Sequence, residues 1–169
     1  LSKRDFLRII KPLKKFGADF KSNLGKLPII IKGTSNPNPI VYNETRGSAQ
    51  VKSSLMLAAL NTHGETIIKA KKSRNHSELL FKYLNLPIKV QKVKNYDLIK
   101  IKGKKKIPPL NYKIPTDISS CAFFMVLTIL SKNSKLKIKN VNINPSRIGI
   151  LRILNMMGIK IRKINVKEY

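Results

Sequence analysis

Apolar and polar positions along the chain sort into two kinds of helix. The first kind is amphipathic and follows an arginine three times, in residues 4–20, 74–90 and 147–161, each time turning into a short apolar strand. In the first segment Phe6, Ile9, Ile10, Leu13 and Phe16 fall on one helical face, and Gly17 stands where a helix-ending C′ glycine belongs. In the third, Asn144 is placed to cap, Pro145 suits the first helical position and Gly158 closes. The middle copy has Asn75 as cap with Glu78 three residues on, a capping-box pattern, but ends on Asn85-Leu86-Pro87 in place of a glycine.

The second kind of helix is apolar all round and therefore expected to be buried: residues 53–60 and 120–130. Each is followed by an expected strand, at 66–69 and 135–139. Residues 135–143 alternate polar and apolar with period two, and 88–94 do much the same, so these strands have one wet face. The helices recur at spacings of about 70 residues, which implies a repeated supersecondary unit. The pattern predicts an α/β (α+β) chain in which the sheets face outward and the most apolar helices lie inside, the reverse of the usual layering.

Within this pattern residues 46–60 stand out. Arg46-Gly47-Ser48-Ala49-Gln50-Val51-Lys52 passes within one helical turn into the apolar run Leu55-Met56-Leu57-Ala58-Ala59-Leu60. Ser48 is a favoured N-cap, Gly47 lets the backbone approach a bound group, and the free N–H groups of a helix start attract anions. Arg46, Gln50 and Lys52 add donors and charge at the same end. The segment reads as a buried helix with its N-terminus aimed at something negative.

Charge narrows the partners only after its distribution is considered. The 169 residues carry 35 Lys and Arg against 8 Asp and Glu, a formal net charge of +27. A charge of that size suggests nucleic acid. The lysines, however, are spread over the whole chain, and neither a nucleic-acid motif nor an aromatic stacking platform accompanies them. Abundant Ile, Lys and Asn, all with A/T-rich codons, offer a compositional source for the charge. Small anionic substrates fit it, and no specific nucleic acid is expected. The single Cys121 sits in an apolar run and cannot pair within the chain, which fits a reducing cytosol. Residues 121–130 are too short to span a bilayer and no signal peptide is visible, so a cytoplasmic location is expected. His63, His76 and Cys121 are scattered and form no metal-ligand set. The chain opens on Leu1 and enters a helical pattern at once, as a segment of a longer protein would.

Five stretches, in order and along nearly the whole chain, resemble the 5-enolpyruvylshikimate-3-phosphate (EPSP) synthase family. They are Leu1-Ser2-Lys3-Arg4, Ser48-Ala49-Gln50-Val51-Lys52-Ser53, Arg74-Asn75-His76-Ser77-Glu78, Asp117-Ile118-Ser119-Ser120-Cys121-Ala122-Phe123-Phe124 and Asn144-Pro145-Ser146-Arg147-Ile148-Gly149. The resemblance implies an enolpyruvyl transferase-type inside-out fold: two domains, each of three similar α/β units around buried helices. Residues 1–112 would be the later part of the substrate-binding domain, and 113–169 the crossover, at Ile114-Pro115-Thr116, and the first part of the second domain. Residues 103–109, basic and ending in Pro-Pro, are the candidate loop between them.

The implied reaction transfers the enolpyruvyl group of phosphoenolpyruvate to the 5-hydroxyl of shikimate 3-phosphate and releases phosphate, with no metal or organic cofactor. Ser48, Ala49 through its backbone, Gln50 and Arg74 match the family's shikimate 3-phosphate contacts, and Arg4 matches the arginine of the phosphoenolpyruvate subsite. Lys52, four residues past Ser48, is a further candidate contact. His76 is read as orienting the Arg74 loop or capping the following helix, His63 as a turn residue, Asp117, Ser119 and Ser120 as capping groups, Arg147 as structural and Cys121 as a core thiol. No catalytic acid–base residue is matched, so the isolated segment is expected to be inactive; the full-length protein is expected to be a monomer. Two alternatives stand beside this reading. One is the related UDP-N-acetylglucosamine enolpyruvyl transferase, against which the Ser-Ala-Gln and Arg-Asn-His-Ser-Glu pair speaks; the other is a basic nucleic-acid-binding module.

Overall fold

The computed structural model describes residues 3–103 and 106–166 and separates the chain into two compact units, Leu1–Pro108 and Pro109–Tyr169. Leu1 and Ser2 of the first motif, and Lys104 and Lys105 of the expected connecting loop, lie outside the described residues.

The first unit runs α1 (Leu7–Lys15), β1 (Asp19–Asn23), β2 (Lys26–Lys32), β3 (Val41–Glu44), α2 (Ala49–Ala59), β4 (Glu65–Lys71), α3 (His76–Tyr83), β5 (Ile88–Lys92) and β6 (Tyr96–Lys102). Strands β1 and β2 form an antiparallel hairpin, and the other four make a sheet in the order β3-β4-β6-β5. Strand β3 is parallel to β4, with α2 as the crossover between them, while β6 is antiparallel to both its neighbours. The pairing fixes one apolar face: Ile68 lies opposite Ile99 and Thr66 opposite Ile101, and all four are fully buried.

Helix α2 lies on that face. Leu55, Met56 and Ala59 have no exposed surface and join Phe16, Ile68, Phe81, Ile99 and Ile101 in one core. Burying each large apolar side chain of this kind contributes about 1.5–3 kcal/mol, which holds the helix start rigid. The expectation of a helix covered on every side is corrected at Leu57, which is 56% exposed.

The repeat shows in how the helices end. At α3 the Leu86 N–H donates to the Phe81 carbonyl and the Asn85 N–H to that of Lys82, both at 2.9 Å. Residues Ile159 and Gly158 make the same pair to Leu154 and Asn155 at the end of α5 (Gly149–Met156). Both are Schellman caps. Asn85, at φ +51°, replaces the expected glycine because its short polar side chain tolerates the left-handed region.

The second unit holds α4 (Ile118–Leu130) and α5, with one parallel bridge between Thr116 and Val141. Two sequence expectations fail here. Residues 135–139 and 159–161 form no strand, because alternation makes a segment suited to a sheet but only a partner strand supplies the hydrogen bonds. Helix α5 also begins at Gly149 rather than at Pro145. Asn144 instead closes a turn, its carbonyl accepting the Arg147 N–H and its Oδ1 the Ser146 N–H, each at 2.8 Å. Asp117 does cap α4, its Oδ1 taking the Ser119 N–H at 3.1 Å and lying 2.6 Å from the Arg147 guanidinium. Those two contacts, the amide first, hold its carboxyl below the usual range. Cys121 is buried, and desolvation, then the charge of Asp117, pushes its thiol up. The expected burial of α4 fails elsewhere: Phe123 and Leu130 are 79% and 78% exposed. No helix among the described residues is long and apolar enough to cross a membrane.

Candidate functional site

The turn from β3 into α2 is built around a buried carboxylate. Glu44, the last residue of β3, is 3% exposed and accepts the Arg46 N–H at 3.0 Å and the Gly47 N–H at 2.9 Å, one on each oxygen. Gly47 stands at φ +71°, and a Cβ there would meet the Lys72 carbonyl oxygen at 3.3 Å, so the turn lies directly against the end of β4. Ser48 is extended, and its Oγ accepts the Val51 N–H at 3.3 Å, the side-chain cap anticipated from sequence. The helical ladder starts with the Lys52 N–H on the Ser48 carbonyl at 3.0 Å. The Ala49 and Gln50 amides precede it, at the positive end of the helix dipole.

Arg74 lies in the link between β4 and α3, its side chain exposed. Two side chains of α2, Lys52 and Ser53, fasten this link and the start of α3 to it. Lys52 Nζ donates to the Arg74 carbonyl at 2.7 Å and lies 2.6 Å from Glu78 Oε1, while Ser53 Oγ and Ser77 Oγ are 2.6 Å apart. Lys52 has no exposed surface and Glu78 only 4%. Two expectations are thereby corrected. Lys52 does not reach outward to a substrate, because its ammonium is enclosed between Glu78 and the Arg74 backbone. Glu78 does not complete a capping box, and the Asn75 side chain makes no cap hydrogen bond; the carboxylate turns inward to the lysine.

The third element at this end is α1. Arg8 donates to Gln50 Oε1 at 2.7 Å, and with Lys11, Glu44 and Arg46 it lines a small cavity of ≈ 90 Å³ beside the start of α2. Arg4 lies ahead of α1, exposed. The arginine that contacts the Ser48–Gln50 turn is therefore Arg8, one helical turn beyond Arg4, and the pattern of motifs did not single it out. Glu44 was also missed; its role depends on a tight turn that one acidic residue does not signal.

The charges are arranged for an anion. Arg8, Lys11 and Arg46 line the cavity at the helix start, and the backbones of Lys72 and Arg74 lie against the turn and the helix. The only two buried acids among the described residues, Glu44 and Glu78, are both tied to backbone amides or to Lys52. His76 opens α3 next to Arg74, and His63 sits in the turn at the opposite end of α2. Among the described residues no three His, Cys, Asp or Glu side chains gather as a metal site. The arrangement can grip a phosphate or carboxylate with N–H, hydroxyl, amide and guanidinium groups. It offers no paired acid and base.

Comparison with known proteins assigns these features to one family. Residues 1–168 match the model of EPSP synthase (3-phosphoshikimate 1-carboxyvinyltransferase). The chain is 43% identical over 171 residues to the 3-phosphoshikimate 1-carboxyvinyltransferase of Petrotoga mobilis, covering 99% of this chain and 39% of that protein. It is 42% identical over 169 residues to the enzyme of that name from Ruthia magnifica, covering 99% and 38%. A solved structure of EPSP synthase from Acinetobacter baumannii superposes with a TM-score of 0.75 at 36% identity, over 94% of this chain and 35% of that one. The chain thus spans less than two fifths of the length of these relatives, and its fold is that of the inside-out α/β enolpyruvyl transferases.

Proposed function

Because the chain belongs to the EPSP synthase family, we propose that its first unit forms the shikimate 3-phosphate wall of a carboxyvinyl-transfer site. In the complete enzyme the enolpyruvyl group of phosphoenolpyruvate passes to the 5-hydroxyl of shikimate 3-phosphate and phosphate leaves, without metal or organic cofactor. The observation that carries the reading is that one buried lysine, on the helix that Ser48 caps, holds the backbone of Arg74. Ser48 Oγ, the Ala49 and Gln50 amides and the Gln50 side chain meet the substrate from the helix start. Arg74 meets it from the β4–α3 link, where a planar guanidinium can engage two oxygens at once. Arg4 serves phosphoenolpyruvate. Residues 1–112 act as the later part of the substrate-binding domain, 113–169 as the crossover and the first part of the second domain, and the acid–base groups come from elsewhere in a cytoplasmic, monomeric enzyme.

Titrating shikimate 3-phosphate into the ¹⁵N-labelled chain tests this. Saturable shifts concentrated at residues 47–52 and 73–76, reduced by Arg74→Ala, are expected. Shifts scattered over surface lysines, or equal shifts with inorganic phosphate, would overturn the assignment.

A further inference from the structure

We propose that Lys52 is a positioning residue of this anion site: its enclosed ammonium sets where Arg74 stands relative to the Ser48–Gln50 amides. The inference rests on the site proposed above and adds to it a residue that touches no substrate. Three observations carry it. First, the hydrogen bond from Nζ ends on the carbonyl of Arg74 itself, at 2.7 Å, so the lysine fixes the backbone of that residue and leaves the guanidinium exposed to a ligand. Second, Lys52 lies on α2 one turn beyond Ser48 and donates its own N–H to the Ser48 carbonyl at 3.0 Å, so one residue is bonded to both halves of the site. Third, neighbouring contacts repeat the link between α2 and residues 72–78. Ser53 meets Ser77 at 2.6 Å, and Gly47 packs against the Lys72 carbonyl.

Stability alone gives a poor account of the pair. Taking two charges out of water is costly, and well-packed apolar residues of similar volume commonly hold a fold as well or better. Here a chain with only 8 acidic residues places one of them, Glu78, beside the buried lysine. Glu78 Oε2 moreover has no hydrogen-bond partner among the described residues. What the ion pair provides that an apolar pair would not is a directed donor for the Arg74 carbonyl. Glu78 holds the ammonium in place, and the ammonium holds Arg74.

The test separates packing from positioning. The double variant Lys52→Met/Glu78→Leu removes both charges, keeps the volume, and is expected to retain the melting temperature of the native chain. In it the backbone order parameter of Arg74 should fall from about 0.85 toward 0.6 or below, as for a released loop. Affinity for shikimate 3-phosphate should drop about tenfold, and Arg74→Ala added to the double variant should cost little more. Lys52→Arg should not restore the affinity, since a planar fork cannot reproduce a single point donor in that enclosure. Should the double variant not fold, Lys52→Met/Glu78→Gln, which also removes the donor to the Arg74 carbonyl but keeps a polar group at position 78, is read for the same two quantities. An unchanged Arg74 order parameter overturns the positioning role whether or not the ligand binds. A loosened loop in a chain whose native form binds no shikimate 3-phosphate supports positioning while overturning the proposed substrate.

Discussion

The Arg8 guanidinium donates to Gln50 Oε1 at 2.7 Å, joining α1 to the first turn of α2 across 42 positions of sequence. The amide of Gln50 is therefore oriented, its oxygen occupied and its NH₂ left to donate to a ligand. Arg8→Met should free that side chain. Because the pair is partly exposed, the expected loss of shikimate 3-phosphate affinity is about fivefold, or roughly 1 kcal/mol. The unfolding midpoint should hardly move. Calorimetric titration beside a urea melt checks both; unchanged affinity would separate Gln50 from the site.

Gly47 yields a second expectation. At φ +71°, with the Lys72 carbonyl 3.3 Å from where a Cβ would stand, a side chain is both strained and crowded. Gly47→Ala should cost about 1–2 kcal/mol of stability, and because the turn must shift, it should also disturb the Glu44 contacts to Arg46 and Gly47. Chemical denaturation gives the first quantity, and the Arg46 and Gly47 amide shifts report the second. A variant as stable as the native chain would show that the turn relaxes freely.

What the sequence made legible follows from range. Ser48 as cap, Gly17 and Gly158 as helix ends, the apolar face of α1 and the strand after α2 all depend on residues within one or two turns, and all are found. The β1–β2 hairpin went unread because the two-residue turn Leu24-Gly25 puts a leucine at φ +50°, against its preference, and Pro28 interrupts β2. Glu78 was misread for the opposite reason. Its spacing from Asn75 satisfies a local rule, but Lys52, 26 positions earlier, offers a charge inside the core. The Ser48 and Arg74 motifs were visible singly. That one lysine bonds the backbones of both is a tertiary fact with no local signature.

Acid should loosen the second unit through Asp117. The Ser119 amide and the Arg147 guanidinium lower its folded carboxyl below the ordinary value of 3.8. A lowered folded value means that the contribution is present above about pH 3.8 and is lost as pH falls through the folded value. The Arg147 side chain should become mobile over that window in NMR spectra, and in Asp117→Asn it should already be mobile at pH 7. An Arg147 that stays ordered at pH 2 would show that the pair does not hold the turn to α4.

The 169-residue chain alone should bind without turnover. The two buried acids among the described residues are committed to bracing the site, Glu44 to the Arg46 and Gly47 amides and Glu78 to Lys52. Asp5 and Asp19 accept the amides of Leu7 and Phe20 at 2.7 and 2.8 Å, and Asp117 serves α4. None of these carboxylates is left to move a proton at the start of α2. Gln50 and Arg74 are exposed, so a bound anion stays hydrated on its outer side. In water-like surroundings a charge pair at 4 Å is worth only about 1 kcal/mol, which a closed, dry site would multiply. Shikimate 3-phosphate should therefore bind at about the millimolar level, and a coupled phosphate-release assay with phosphoenolpyruvate should read no rate above background. Turnover within about a hundredfold of the roughly 10 s⁻¹ typical of enzymes in general would mean that a proton-transferring group of this chain has been assigned a bracing role in error.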